Sequence, residues 1–207
     1  MVTRRPQLGV LISGRGSNMQ ALVRAARDGR MTADVRVVIS NVPGAAGLEF
    51  ARSAGIETLV IPHRDFGSRE AFDQALLTEL QDRRVDLVCM AGFMRLLGPA
   101  FCDAFPQRVV NVHPSLLPSF PGIDAQHQAF EHGVKVTGAT VHFVTPTLDA
   151  GPIVLQQAVV VEDHDTADTL ATRILGVEHE IYWAAIQRIL EGNWRIVGRR
   201  VIFSSEA

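Results

Sequence analysis

A chain of 207 residues with 47% hydrophobic content can bury a full core, and its length suits one large α/β domain. A formal net charge of −2, with arginines dispersed rather than clustered, leaves no electrostatic footprint for nucleic acid or an anionic membrane, so small molecules are the expected partners. Two isolated cysteines, Cys89 in an apolar run and Cys102 in an expected helix, lack metal-ligand spacing and suit structural roles in a reducing compartment. The apolar stretch from Leu8 to Ile12 behind Arg4 and Arg5 is too short for a signal-peptide core, and no apolar run approaches membrane-spanning length. A cytoplasmic protein is expected.

In chain order, apolar runs at Leu8–Ser13, Val35–Ser40, Ile56–Ile61 and Leu87–Ala91 alternate with helix-compatible segments around Met19–Arg27, Ala45–Ala54 and Arg69–Arg83. This βαβαβαβ rhythm predicts a doubly wound, mostly parallel, Rossmann-like sheet, with ligands collecting at the carboxyl ends of its strands. The strands are continuously apolar rather than alternating, as expected where helices cover both faces. From Val109 the pattern changes to a strand at 109–113, a Pro-rich loop at Pro114–Pro121, a short helix near Gln126–His132 and two β-rich stretches, Thr137–Thr145 and Ile153–Val161, expected to pair antiparallel. A last amphipathic helix is expected after Asp165 as N-cap, with Leu170, Ile174, Val177 and Ile181 at helical spacing and Gly192 ending it. The expectation is a single domain over 1–207, with a phosphate-binding half at 1–108 and a catalytic half at 109–207.

The residues that carry chemistry sit at strand ends. Val109-Val110-Asn111-Val112-His113 puts Asn111 and His113 on one face of a strand, and Pro114 stops the pairing just where the imidazole emerges. An amide can stabilise an oxyanion, an imidazole can move a proton near neutral pH, and an acid such as Asp149 in Leu148-Asp149-Ala150-Gly151-Pro152 can orient and charge that imidazole. No spacing rule forces Asp149 to meet His113.

Ser13-Gly14-Arg15-Gly16-Ser17-Asn18 leads from the first strand into the first helix, where unpaired N–H groups and the helix dipole favour a phosphate. The bland alternative is a tight turn packing helix on strand. Met19 stands where a dinucleotide fingerprint needs its third glycine, and Ser40-Asn41 lacks the acid for a ribose diol, so NAD and FAD are disfavoured. The segment Ala91-Gly92-Phe93-Met94-Arg95-Leu96-Leu97 could line a planar heterocycle's pocket or be a buried connection with Arg95 on the surface. Arg69 could serve an anionic ligand or pair with Glu70 or Asp73. The remaining histidines, His63, His127, His132, His142, His164 and His179, show no zinc spacing and suit surface or core duty, so no metal is expected.

Taken together, Gly14-Arg15-Gly16-Ser17-Asn18, Ala91-Gly92-Phe93-Met94-Arg95, Asn111-Val112-His113-Pro114-Ser115-Leu116-Leu117-Pro118 and Leu148-Asp149-Ala150-Gly151-Pro152 closely resemble the phosphoribosylglycinamide formyltransferase family, folate-dependent enzymes of purine synthesis. The motifs occur in order from the first strand to the last helix. The resemblance implies 10-formyltetrahydrofolate as formyl donor and 5-phosphoribosylglycinamide as acceptor, its amine attacking the formyl carbon through a tetrahedral intermediate. It implies that Asn111 donates to the oxyanion, that protonated His113 delivers a proton to the departing folate nitrogen, and that Asp149 favours the charged form of His113 and helps deprotonate the amine. By the same carry-over Gly16, Ser17 and Asn18 hold the phosphate, and Glu178 contacts the ribosylglycinamide, its alternative being an exposed helix acid. Met94, Leu96 and Leu97, with Thr145, Leu148, Asn111 and Asp149, enclose the pterin, and Arg69 and Arg95 face the benzoyl-glutamate. A monomer or homodimer is expected.

The pattern departs from relatives at Gln126, where they often carry His; here His127 is displaced by one helical position. Three rivals stand beside this reading. A formyltetrahydrofolate deformylase would use the same centre on water, but normally carries an N-terminal regulatory domain and lacks the Gly-x-Gly-Ser-Asn loop, whereas the first strand here begins by Leu8. A methionyl-tRNA formyltransferase carries an added C-terminal domain and a basic RNA surface, whereas this acidic chain ends soon after its last helix. A non-catalytic folate or nucleotide module on a doubly wound scaffold is the third.

Overall fold

The computed structural model describes residues 4–204. Their α/β architecture falls into two compact units, one running up to Val110 and one beginning at Asn111.

In the first unit, strands β1 (Gln7–Ile12), β2 (Asp34–Ser40), β3 (Glu57–Val60) and β4 (Leu87–Met90) are parallel in the order β3-β2-β1-β4. Helices α1 (Ser17–Arg27), α2 (Ala46–Ser53) and α3 (Arg69–Asp82) make the crossovers that parallel pairing requires. The apolar runs are central because their side chains are buried on both faces: Leu8, Val10, Leu11, Ile12, Val88 and Cys89 are inaccessible to solvent. Edge strand β3, with exposed Glu57 and Val60, alternates less cleanly. Pro99 at the first turn opens a short α4 (Pro99–Ala104), which holds Cys102 as expected.

Strand β5 (Val109–His113) begins in the first unit and ends in the second, and the order there is β5-β6-β7-β9-β8. Strands β6 (Val136–Phe143) and β7 (Ile153–Val160) pair antiparallel, as their short polar connection predicts. The short helix α5 spans Ala125–Glu131, and the long α6 spans Ala167–Leu190 and packs on β6, β7 and α5.

Two expectations need correction. The N-cap of α6 is Thr166, not Asp165: Thr166 and Thr169 form a reciprocal capping box. Asp165 instead accepts from Glu162 N–H, the Thr169 hydroxyl and Arg173, and these bonds hold its carboxyl below the usual range although desolvation works against them. Beyond Gly192, which ends α6 in the left-handed region (φ 77°), the chain makes an antiparallel hairpin of β8 (Trp194–Val197) and β9 (Arg200–Phe203) that the pattern did not announce. Trp194 anchors it, its ring centroid 5.0 Å from that of Phe143 and its indole N–H donating to Ile189 O.

Candidate functional site

Two groups of residues lie at strand ends, one in each unit. In the second unit β5 ends at His113, and the Pro-rich loop folds back beneath it. The Thr140 hydroxyl on β6 ties this loop down by donating to Ser115 O (2.6 Å) and accepting from Leu117 N–H (3.1 Å). Gln156 on β7 adds bonds from its amide to Leu117 O and to Thr140, each 2.9 Å.

The structure brings Asn111, His113 and Asp149 together. His113 Nδ1 lies 3.5 Å from Asp149 Oδ2, and its Nε2 lies 2.8 Å from Phe120 O. Both ring nitrogens thus face acceptors, and an imidazolium can donate to both. Asp149 sits in the left-handed region (φ 47°) in the turn after β6, its side chain only 8% exposed, and Oδ2 also accepts from Gly122 N–H at 2.8 Å. Gly151 permits this turn: a Cβ there would lie 1.7 Å from Phe143 O.

A fourth member, His142, was assigned core or surface duty by its lack of metal spacing. It is 2% exposed, its Nε2 3.3 Å from Asn111 Nδ2 and 3.7 Å from Asp149 Oδ1. Burial pushes this imidazole below its usual range, against the Phe143 carbonyl and the Asp149 charge, with the His113 charge adding to the depression. Its Nδ1 is 2.9 Å from Phe143 O, which can only accept, so Nδ1 carries the proton and Nε2 is a bare acceptor. We therefore read the His142–Asp149 approach as proximity and not as an ion pair. The signal available in the sequence was the period of two in β6, which puts His142 and Thr140 on one side of a strand.

Thr145 and Leu148 flank Asp149 in the same turn; the Thr145 hydroxyl donates to Thr147 O, and Leu148 is 47% exposed. Glu178 is buried on α6, not the exposed acid of the alternative. Gln126 is half-buried on α5, and His127 Nδ1 lies 3.5 Å from Glu131 one turn on.

In the first unit Gly16 is the N-cap of α1 in the left-handed region (φ 67°), with no side-chain cap. The helix starts at Ser17, earlier than its apolar pattern suggested, so Ser17 and Asn18 lie in its first turn, where the helix dipole and N–H groups without intrahelical acceptors favour an anion. After β4, Met94 and Leu96 are exposed, Leu97 is buried and Arg95 is half-buried with its Nε enclosed, so Arg95 is not the surface residue of the alternative. Arg69 opens α3 with its Nε 3.9 Å from Glu70. Nearby Asp73 is buried, which raises its carboxyl above the usual range against the Gly98 N–H bond (2.7 Å) and the charges of Arg69 and Arg95. Among the described residues no cluster of three or more His, Cys, Asp or Glu could hold a metal, and no helix is long and apolar enough to cross a membrane.

The formyl transferase family model matches residues 7–186. The chain is 44% identical to the phosphoribosylglycinamide formyltransferase of Escherichia coli K12, covering 90% of this chain and 88% of that protein. It is 49% identical to part of the trifunctional purine biosynthetic protein adenosine-3 of Drosophila melanogaster, matching 92% of this chain but spanning only 14% of that much longer protein. The crystal structure of glycinamide ribonucleotide transformylase 1 from Symbiobacterium toebii superposes with a TM-score of 0.95 at 52% identity, covering 97% of this chain and 95% of that one. With its family model, its full-length relative and its fold in agreement, the chain belongs to the formyl transferase family, among the phosphoribosylglycinamide formyltransferases.

Proposed function

We propose that this chain transfers the formyl group of 10-formyltetrahydrofolate to the amine of 5-phosphoribosylglycinamide in purine synthesis. The observation that carries the reading is the Asn111–His113–Asp149 cluster, with the His113 and Asp149 side chains buried, in a chain whose Escherichia coli relative bears that transferase name and is matched over 88% of its length.

In this reading the amine attacks the formyl carbon, and the carbonyl oxygen becomes an oxyanion. One Asn111 amide hydrogen goes to His142 Nε2, which leaves the second for the oxyanion. His113, protonated, adds charge stabilisation and then gives its proton to the folate nitrogen as the C–N bond breaks. The proton shed by the attacking amine passes to Asp149, directly or through water, and from there returns to His113. The products are the formylated amine and tetrahydrofolate, with no net proton change.

Binding roles follow by unit. In the first, Gly16, Ser17 and Asn18 hold the phosphate at the open α1 terminus, Met94, Leu96 and Leu97 contact the pterin, and Arg69 and Arg95 meet the glutamate carboxylates. In the second, Thr145 and Leu148 contact the pterin and Glu178 the ribosylglycinamide.

The test is the absorbance change on loss of formyl from a 10-formyl folate, with and without phosphoribosylglycinamide. Turnover that requires the amine is expected. Amine-independent release of formate makes the chain a deformylase, and folate binding without turnover makes it a binding module.

A further inference from the structure

At the carboxyl ends of the first unit's strands, a hydrogen-bond chain joins the phosphate loop to the Met94 segment. Ser13, just past β1, donates its backbone N–H to Gly92 O (3.0 Å), and its Oγ accepts from Met94 N–H (2.8 Å). A serine hydroxyl has one proton to give, and here it goes to Asn41 Oδ1 at 2.6 Å. Asn41, just past β2 and 3% exposed, lies against His63, whose Nδ1 is 3.1 Å from Asn41 Nδ2 and 3.2 Å from Asn41 O. Because Met94 N–H can only donate, Ser13 Oγ accepts there and its own proton is left for Asn41 Oδ1.

The tether acts at Met94, between buried Phe93 and Leu97. Met94 is 68% exposed and Leu96 47%, so burial does not locate these two residues, and at Met94 the bond to Ser13 Oγ does. Three residues beyond Ser13 the left-handed Gly16 opens the uncapped terminus of α1.

We infer that Ser13 is a positioning residue that makes binding at the phosphate loop and binding at the Met94 segment interdependent. The inference rests on the proposed substrate assignments of those two segments. Ordering of residues 13–18 around a phosphate orders residues 92–94 through the Ser13 bonds, and the linkage is reciprocal.

The test is equilibrium titration of tetrahydrofolate, which has no formyl group to transfer, with and without saturating phosphoribosylglycinamide. In the wild-type chain the acceptor should tighten tetrahydrofolate binding by about fivefold or more, the lower end of ordinary coupling between sites. Ser13→Ala should bring the ratio of the two dissociation constants to about one, and Ser13→Thr, which keeps the hydroxyl, should restore it. A purely structural serine would lower the thermal midpoint and both affinities while leaving the ratio alone. A wild-type ratio in Ser13→Ala, or a ratio of one in the wild type, overturns the inference. A wild-type chain that binds neither ligand removes the substrate assignments themselves. Should Ser13→Ala not fold, Asn41→Ala reads the same ratio, since without Asn41 Oδ1 the Ser13 hydroxyl is free to turn.

Discussion

His142 accepts a hydrogen bond from Asn111: its Nε2 lies 3.3 Å from Asn111 Nδ2 while its Nδ1 proton is committed to Phe143 O at 2.9 Å. The amide is thereby fixed with nitrogen towards His142, and the bond exists only while His142 is neutral. Because burial lowers the folded-state value, the unfolded chain takes up a proton that the native state refuses. The resulting stability is fully present above the unfolded value near 6.5 and is lost as pH falls from there towards the depressed folded value. Urea midpoints measured from neutral pH down to about pH 5 should therefore fall more steeply for wild type than for His142→Gln, which cannot titrate. Parallel curves would sink this assignment.

Asn111→Ala removes the only donor we assign to the oxyanion besides His113. A loss of about two to three powers of ten in kcat is expected, equivalent to about 3–4 kcal/mol of barrier, with KM for either substrate nearly unchanged. Near-normal turnover removes Asn111 from the mechanism.

How much of this was legible beforehand varies by element. The parallel half was, because strands buried on both faces read as unbroken apolar runs, as in Leu8 to Ile12. Asn111 and His113 were legible because strand period and Pro114 place them together on one face at a strand end. Asp149 could be named as their acid from its chemistry, but no spacing rule fixed the meeting, since it depends on the antiparallel β6–β7 pair and the left-handed turn between them. His142 was missed because a lone histidine in an apolar strand looks like core until its neighbour is known. The β8–β9 hairpin was missed because its strands are four residues each and charged, held by Trp194 on Phe143 and Arg188 over Phe203.

Asp149 should separate chemistry from backbone geometry. Its φ of 47° is tolerated by asparagine better than by alanine, and an asparagine oxygen can still accept from Gly122 N–H. Asp149→Asn should keep a thermal midpoint close to wild type and lose about two to four powers of ten in kcat, the usual worth of acid–base catalysis. Asp149→Ala should lose both activity and stability. Full activity in Asp149→Asn would remove the carboxylate from proton transfer.

Gly151 should tolerate no side chain. The methyl of Gly151→Ala would meet a backbone oxygen, Phe143 O, at 1.7 Å, and backbone cannot swing away as a flexible side chain can. A loss of about 3 kcal/mol or more, at or beyond the upper end of ordinary overpacking, is expected by urea denaturation. Gly55→Ala is the comparison: it has open space around the added methyl but a left-handed backbone (φ 72°) that Gly151 does not share, and should cost about 1–2 kcal/mol.

The central claim is that the formyl carbon passes from folate to an amine without becoming free formate. The most direct measurement follows a carbon-13 formyl label from 10-formyltetrahydrofolate by NMR, in the presence of phosphoribosylglycinamide, for wild type and for His113→Ala. The account predicts that the label in the wild-type reaction appears only in the N-formyl product, and that His113→Ala slows its arrival by about two powers of ten or more. Label accumulating as formate, or arriving at the amine equally fast without His113, would contradict it.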